Sequence, residues 1–387
     1  MAEASPLTAN ILDNGSQHVK LGFGGETAPR EEWDNVVGSA RHAGVNGIML
    51  GLGTDSFVGP DAVAQRGLLK QTWPVDRGFV RDWDAMALMW QRAYFGGLNV
   101  ACEEHPLLVT GVPDETREDK EKKAQILFET LSVPAIVLAN TSTLSLYSTG
   151  RTSGLVVDSG AGRTHIGPVW EGYCQPHFLR RLDLAGRDVT EHLCQKLRAD
   201  GYPISTESDR AVANAIKESL CYVTDDMARD AAYCRESKAL ERLFALPDGQ
   251  QIFMNEHRFT VPEALFRNEL LGSGGNAAAM GGGGIHRVIH ETISCADPLI
   301  QPELYGSVVL AGGNTLFPKL EDRIQREIAA VAPKGVAVKV VAFPERKYAA
   351  WLGGSILGSL STFPCMWVSK NEYDDYGPTV VHRKCGL

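Results

Sequence analysis

The chain has 387 residues, 44% of them hydrophobic and 22% charged, which are ordinary values for a globular protein and suggest two or three domains. Its formal net charge of −9 argues against generic nucleic-acid binding, which needs a basic face. No apolar run is long enough for a membrane span, the polar start Met1 to Asn10 does not read as a signal peptide, and eight scattered cysteines without a C-x-x-C spacing fit a reducing compartment better than a disulfide framework or a zinc site.

In chain order, the first signal is Ala9-Asn-Ile-Leu-Asp-Asn-Gly-Ser-Gln-His-Val-Lys-Leu-Gly-Phe-Gly24. An apolar run enters an Asp-Asn-Gly-Ser turn and a second β-like run leaves it, which predicts a hairpin. Ser39 to Val58 is rich in glycine with few charges and reads as a loop. Helical spacing of apolar residues predicts helices over Asp82 to Phe95 and Arg117 to Leu131. A second hairpin signal, Ser153-Gly-Leu-Val-Val-Asp-Ser-Gly-Ala-Gly-Arg-Thr-His-Ile-Gly-Pro168, matches the first in layout. Two matching hairpins predict an internal duplication: two related α/β domains facing one another.

Further on, helices are expected over Ser208 to Val223 and Phe317 to Val331, and a strand over Val336 to Val341, stopped by Pro344. Gly272 to Gly284 is glycine and alanine with little else and reads as a linker. Val308-Val-Leu-Ala-Gly-Gly-Asn-Thr-Leu-Phe-Pro318 carries an apolar strand into Gly-Gly and then a helix, a turn that can lie against a flat nucleoside or a phosphate and equally serves a plain turn.

The chemistry sits in the paired turns. Backbone N–H groups at such glycine turns can cradle phosphate oxygens. Ser16 adds a hydroxyl and Lys20 a point charge. Asp13 and Asp158, across a cleft, could hold Mg²⁺ through its waters, since that ion keeps much of its hydration shell. One such loop alone would read as a structural hairpin; two in one chain favour a phosphate clamp. The pattern is neither a Walker loop nor a G-x-G-x-x-G before a helix.

The same residues carry a family resemblance. Asp13-Asn-Gly-Ser, Glu103-Glu-His-Pro-Leu-Leu, Leu144-Ser-Leu-Tyr, Gly150-Arg-Thr, Asp158-Ser-Gly, Arg181-Leu-Asp-Leu-Ala-Gly-Arg-Asp188, Lys217-Glu, Leu246-Pro-Asp-Gly, Gly312-Gly, Pro344-Glu-Arg-Lys-Tyr, Trp351-Leu-Gly-Gly-Ser-Ile-Leu and His382-Arg-Lys-Cys follow one another as in actin. The chain resembles a divergent actin or actin-related protein from about Asn10 to Cys385.

The resemblance implies an α/β, actin-like ATPase fold: duplicated RNase-H-like domains in two lobes around a nucleotide cleft, with four subdomains. They would be 1–34, 76–148 and 349–387 (first), 35–75 (second), 149–184 and 284–348 (third) and 185–283 (fourth). It implies ATP or ADP with magnesium. Ser16, Gln17, His18 and Lys20 would face the phosphates from the first loop, and Gly160, Gly162 and Arg163 from the second. Gly186 would lie nearby, Lys217 and Glu218 would lie at the purine and ribose, and Gly313, Asn314, Leu316, Phe317 and Lys347 would line the adenosine pocket. Without the resemblance, Lys217-Glu218 reads as a solvated helix face. Asp13 and Asp158 would flank the metal's waters.

Departures from the family pattern bear on catalysis. The family's second loop aspartate is Ala161 here, and its water-orienting glutamine is Thr141, whose shorter side chain could not easily place the same water. Gln17 replaces a glycine beside the phosphates, and Arg77 replaces a histidine. His165 keeps the family's other water-proximal residue. Nucleotide binding with slow or absent hydrolysis is expected.

The polymer contacts differ too. The loop Arg41 to Val58 and the tract after Pro262 to Phe266 are both longer than in actin, and the chain ends in Gly386-Leu387 where actin has phenylalanine. A glycine tract loses much entropy on ordering and offers little apolar area. Both loops could equally have drifted as surface segments. Tyr147, Gly150, Thr152, Leu360, Thr362 and Met366 match the apolar groove where many actin-binding proteins insert a helix; the same residues read equally well as domain-junction core.

The expected function is an actin-like cytoskeletal scaffold, cytoplasmic, working with actin or actin-like subunits and actin-binding proteins, including a motor or ciliary assembly among the options. The alternative is an active polymerising actin. A sugar kinase of the wider superfamily is a third class, but it needs a carboxylate base near an acceptor hydroxyl, and no motif for a sugar site is present.

Overall fold

The Asp13 turn joins two antiparallel strands, β1 (Asn10–Asn14) and β2 (His18–Phe23), registered so that Asp13 lies opposite Lys20. A computed structural model of the protein describes residues 8–40, 56–246, 249–271 and 283–384. The chain divides into two compact units: Met1–Thr152, Val169–Pro176 and Tyr348–Leu387 form one, and Ser153–Pro168 with His177–Lys347 the other.

In the first unit β3 (Glu31–Asp34) pairs antiparallel with β2. On the other side β1 runs parallel to β4 (Leu107–Gly111), and β4 parallel to β5 (Ala135–Asn140). The short strand Val368–Ser369 closes the edge beyond β5. Helix α1 (Trp83–Arg92) starts where Asp82 accepts from the Ala85 amide. It continues as a π-helical stretch over Ala93–Leu98, so the expected helix over Asp82 to Phe95 forms and extends further. Likewise α2 (Arg117–Gln125) passes into a π-helical turn, Ile126–Thr130.

Directly after β5 comes α3 (Thr141–Tyr147), capped by the Asn140 side chain accepting from the Thr143 amide. Against α3 packs the Ala349–Gly358 helix. The approach needs glycine at position 353, where a Cβ would sit 1.8 Å from the Leu144 carbonyl oxygen.

The second unit repeats this plan. β6 (Gly154–Ser159) lies beside β7 (Thr164–Trp170), which runs past Pro168 out of the unit, and β8 (Arg180–Leu182) pairs antiparallel with β7. On its other side β6 runs parallel to β9 (Val308–Ala311), and β9 parallel to β10 (Val340–Val341). The order β3-β2-β1-β4-β5 is thus matched by β8-β7-β6-β9-β10, with the same parallel and antiparallel senses wherever both are defined. That is the duplication expected from the two hairpin sequences.

Helices α4 (Gly186–Ala199), α5 (Glu207–Leu220) and α6 (Leu320–Val331) bury Leu193, Leu197, Ile216 and Ile324 in one core with Leu155, Val157 and Leu310 of the sheet. Two expectations need correcting. Only Val340–Val341 of the predicted 336–341 strand is extended and paired. The helix expected from Phe317 begins at Leu320, because Pro318 lacks an amide hydrogen and Lys319 takes a left-handed φ of 66°. Most of the loop Arg41 to Val58, nearly all of the Gly272 to Gly284 tract and the Gly386-Leu387 ending lie outside the described residues.

Candidate functional site

In the first unit the site is built around Asp13, which is 5% exposed. Its Oδ1 accepts from the Thr110 hydroxyl at 2.7 Å and its Oδ2 from Lys20 Nζ at 2.5 Å. Thr110 comes from the neighbouring parallel chain segment, so three strands fix one carboxylate. The turn is tight: a Cβ at Gly15 would lie 2.6 Å from the His18 carbonyl oxygen.

Ser16 Oγ accepts from the Gly78 amide at 2.9 Å. Arg77 and Gly78 form the two-residue bend of a small hairpin, both at positive φ (47° and 81°). His18 Nδ1 lies 3.4 Å from Asp34 Oδ1, and the Gln17 carbonyl accepts from the Asn35 amide at 2.7 Å.

Thr141 opens α3, and its hydroxyl oxygen is buried without a protein hydrogen-bond partner. It follows β5, whose Ala139 and Asn140 are paired with Thr110 and Gly111. Sequence reasoning missed Thr110; its signal was a lone threonine at the end of an apolar strand. Cys174 is also buried, and desolvation pushes its thiol up to about 11.

In the second unit the Gly160–Arg163 turn closes through the Gly160 amide donating to the Arg163 carbonyl at 3.0 Å. The first turn of α4 docks on it: the Gly186 and Arg187 amides donate to the Gly160 and Ala161 carbonyls at 3.0 and 2.8 Å. Gly186 allows this, since a Cβ there would lie 3.3 Å from the Gly160 oxygen and 3.6 Å from Asn314 Oδ1. Ala161 presents a methyl group and no carboxylate. Arg163 is buried, with Nε 3.9 Å from Asp183 Oδ1. His165 is buried on β7 opposite Arg181, and Asp158, next to last on β6, lies opposite Ala311.

The Gly312 bend sits over the β6 end at φ 85°, where a Cβ would come within 2.3 Å of the Ser159 carbonyl. Asn314 Nδ2 donates to Ser159 Oγ at 2.9 Å, Ser159 and Thr164 hydroxyls share a 2.7 Å bond, and Thr164 donates to the Leu184 carbonyl at 2.6 Å. Asn314 Oδ1 is buried and has no protein partner. Leu316 is half-exposed, Lys347 Cγ lies 3.8 Å from a Cβ placed at Gly313, and Phe317 belongs to the unit's apolar core.

Lys217 is not the solvated residue its helix pattern allowed. Its ammonium is buried and donates to the Gly186 carbonyl (3.1 Å), Thr190 Oγ1 (2.9 Å) and Asn214 Oδ1 (2.7 Å). All three acceptors are neutral, and desolvation pulls its pKa down to about 8. Glu218 is exposed and accepts from Asn214.

Lys217, Gly186, the Gly160 turn and Asn314 therefore converge within one unit. A buried ammonium with neutral partners, a buried amide oxygen without one, and a turn too tight for side chains fit an anionic, hydrogen-bonding ligand. Among the described residues no group of three or more His, Cys, Asp or Glu side chains could hold a metal ion by itself. A magnesium ion needs fewer, because it keeps waters and binds phosphate oxygens.

The groove residues lie in the first unit. Tyr147 and Met366 pack on the cluster of Leu144, Trp351, Leu357 and Phe363. Leu360, two residues past the Ala349–Gly358 helix, is 47% exposed, and Ile356 within that helix is 45% exposed. Thr362 is exposed, Gly150 takes φ 71°, and the Thr152 carbonyl accepts from the Gly172 amide.

Two units with the same strand order and a glycine turn at each first hairpin define a duplicated α/β protein. The family model for actin matches residues 4–386. The chain belongs to the actin family and has the actin-like ATPase fold. No described helix is long and apolar enough to cross a membrane.

Proposed function

We propose that this actin-family chain is an actin-like cytoplasmic scaffold subunit that binds ATP or ADP with magnesium, hydrolyses it slowly, and forms homopolymers less readily than actin. Its partners would be actin or actin-like subunits and actin-binding proteins that use the Leu360 face.

Lys217, Asn314 and the Gly160–Arg163 turn would hold the nucleotide in the second unit, and Ser16 and Lys20 would supply a hydroxyl and a charge for phosphate in the first. Asp13 and Asp158 would hold magnesium through its waters, and the ion would supply positive charge against the phosphates. The buried Lys217 ammonium carries the binding half of this reading, because its three partners are all neutral. The weak hydrolysis follows from Thr141 and Ala161. Neither side chain has the reach or the charge to orient a water against a terminal phosphate.

Binding is tested by titrating a fluorescent ATP analogue with magnesium into purified protein. Saturable binding that weakens in Lys217→Met and Asn314→Ala supports the reading; no binding at millimolar nucleotide contradicts it.

A further inference from the structure

Alternate residues of a strand share a face, so Asn10, Leu12 and Asn14 lie on one side of β1. Leu12 joins Trp90 of α1 and Tyr94 of the π-helical stretch Ala93–Leu98 in one apolar cluster, whereas Ile11, on the other face, packs with Trp351. At Asn14 strand and helix meet directly: Trp90 Nε1 donates to Asn14 Oδ1 at 3.2 Å. Four residues on along the helix and four back along the strand, Tyr94 and Asn10 do not. Asn10 is fully buried and Tyr94 is 1% exposed. Neither Asn10 Oδ1, nor Asn10 Nδ2, nor the Tyr94 hydroxyl has a hydrogen-bond partner in the protein.

Polar groups buried in an apolar cluster are costly unless something satisfies them. The Asn10 amide is the polar side chain that faces the phenol. Burial pushes the Tyr94 hydroxyl well above its ordinary range, and Asn10 only partly offsets this. Direct contact alone could not satisfy both side chains. An amide offers two donors and a carbonyl oxygen, and a phenol has one hydrogen to give. If Asn10 Nδ2 donates to the phenol oxygen, Asn10 Oδ1 and the phenol hydrogen are left over; if the phenol donates to Oδ1, Nδ2 is left over. In either case one water between the phenol and the other side of the amide closes a ring of three hydrogen bonds. The nearby Cys102 thiol is too weak a partner to replace it.

We propose that Asn10 and Tyr94 bind one buried water inside the first unit, and that this water ties β1 to the π-helical stretch. The site lies wholly within one unit and is independent of nucleotide binding. Trp90 belongs to the α-helical part and reaches its asparagine; Tyr94 belongs to the wider π turn and does not. The water makes up that difference. The strand it holds carries Asp13 three residues further on.

A crystal structure of the full chain at a resolution that shows waters is the first test. We expect one water within about 3.2 Å of both the Tyr94 hydroxyl and a polar side-chain atom of Asn10. A dry Asn10–Tyr94 contact, or an Asn10 side chain bonded to a main-chain group instead, would overturn the site. Thermal unfolding of the full chain is the second. Tyr94→Phe removes only the hydroxyl and should lower the melting temperature by about 2–4 °C. Asn10→Leu combined with Tyr94→Phe removes the polar groups together, leaving none unsatisfied, and should melt above Tyr94→Phe alone. A Tyr94→Phe variant as stable as wild type, or a double variant that melts no higher than Tyr94→Phe, would contradict a water shared by the two side chains.

Discussion

Lys20 Nζ lies 2.5 Å from Asp13 Oδ2, and both side chains are nearly buried, at 11% and 6% exposure. Sequence reading assigned them different jobs, one to phosphate and one to a metal. The structure makes them a pair across β1 and β2, completed by the Thr110 hydroxyl. Removing one partner of a buried pair leaves the other charge uncompensated. Lys20→Met should lower stability by about 3–5 kcal/mol, and Lys20→Met with Asp13→Asn by clearly less. Denaturant unfolding of the two variants checks this; equal losses would show that the charges do not act as a pair.

Lys217 gives a pH signature. Its folded pKa is lowered to about 8 from 10.5 by desolvation. The charged form is therefore penalised in the folded state, fully so below about pH 8. As pH rises from there towards 10.5, the folded protein has shed a proton that the unfolded chain still holds, so this group's contribution to stability increases. Anion binding runs the other way, because only the ammonium attracts phosphate. Nucleotide affinity should fall as pH rises above about 8, and Lys217→Met should flatten that fall. An affinity unchanged between pH 7 and 9.5 would remove Lys217 from the site.

Gly312 tests the β6–β9 junction. An added Cβ would press on the Ser159 carbonyl at 2.3 Å in a left-handed backbone. Gly201 also has positive φ, but nothing lies within 4 Å of its Cβ position. Gly201→Ala should cost about 1 kcal/mol from strain alone. Gly312→Ala should cost several times more and weaken nucleotide binding, because Asn314 follows it. Parallel thermal melts and nucleotide titrations separate the two.

Much of the fold was legible before any coordinates. The two glycine turns after Asp13 and Asp158 announced the duplication; the close helix crossing where Gly353 meets Leu144 was not read from the sequence. What was not legible depended on contacts distant in sequence. Thr110 bonds Asp13 from 97 residues away, and Asn314 bonds Ser159 from 155. No local pattern marks either hydroxyl. The solvated-face reading of Lys217, the one its helix pattern alone supports, fails for a related reason: helical periodicity gives a face, and the neutral acceptors that bury its ammonium come partly from another helix. The Val336 to Val341 run failed as a strand because alternation shows what suits a sheet, while pairing needs a partner, and β9 offers one only at Val340 and Val341.

Thr141 and Ala161 give the engineering prediction. Thr141→Gln with Ala161→Asp should speed phosphate release by about tenfold or more, through direct water orientation and a carboxylate near the metal. Stability should be measured alongside, since Thr141 and its neighbours are packed against the Ala349–Gly358 helix.

The most direct test of slow hydrolysis and weak self-assembly is phosphate release by the purified wild-type chain, followed together with pelleting at rising protein concentration. The account predicts saturable magnesium-nucleotide binding, slow phosphate release and protein that stays in the supernatant. Rapid phosphate release coupled to filament assembly would contradict it.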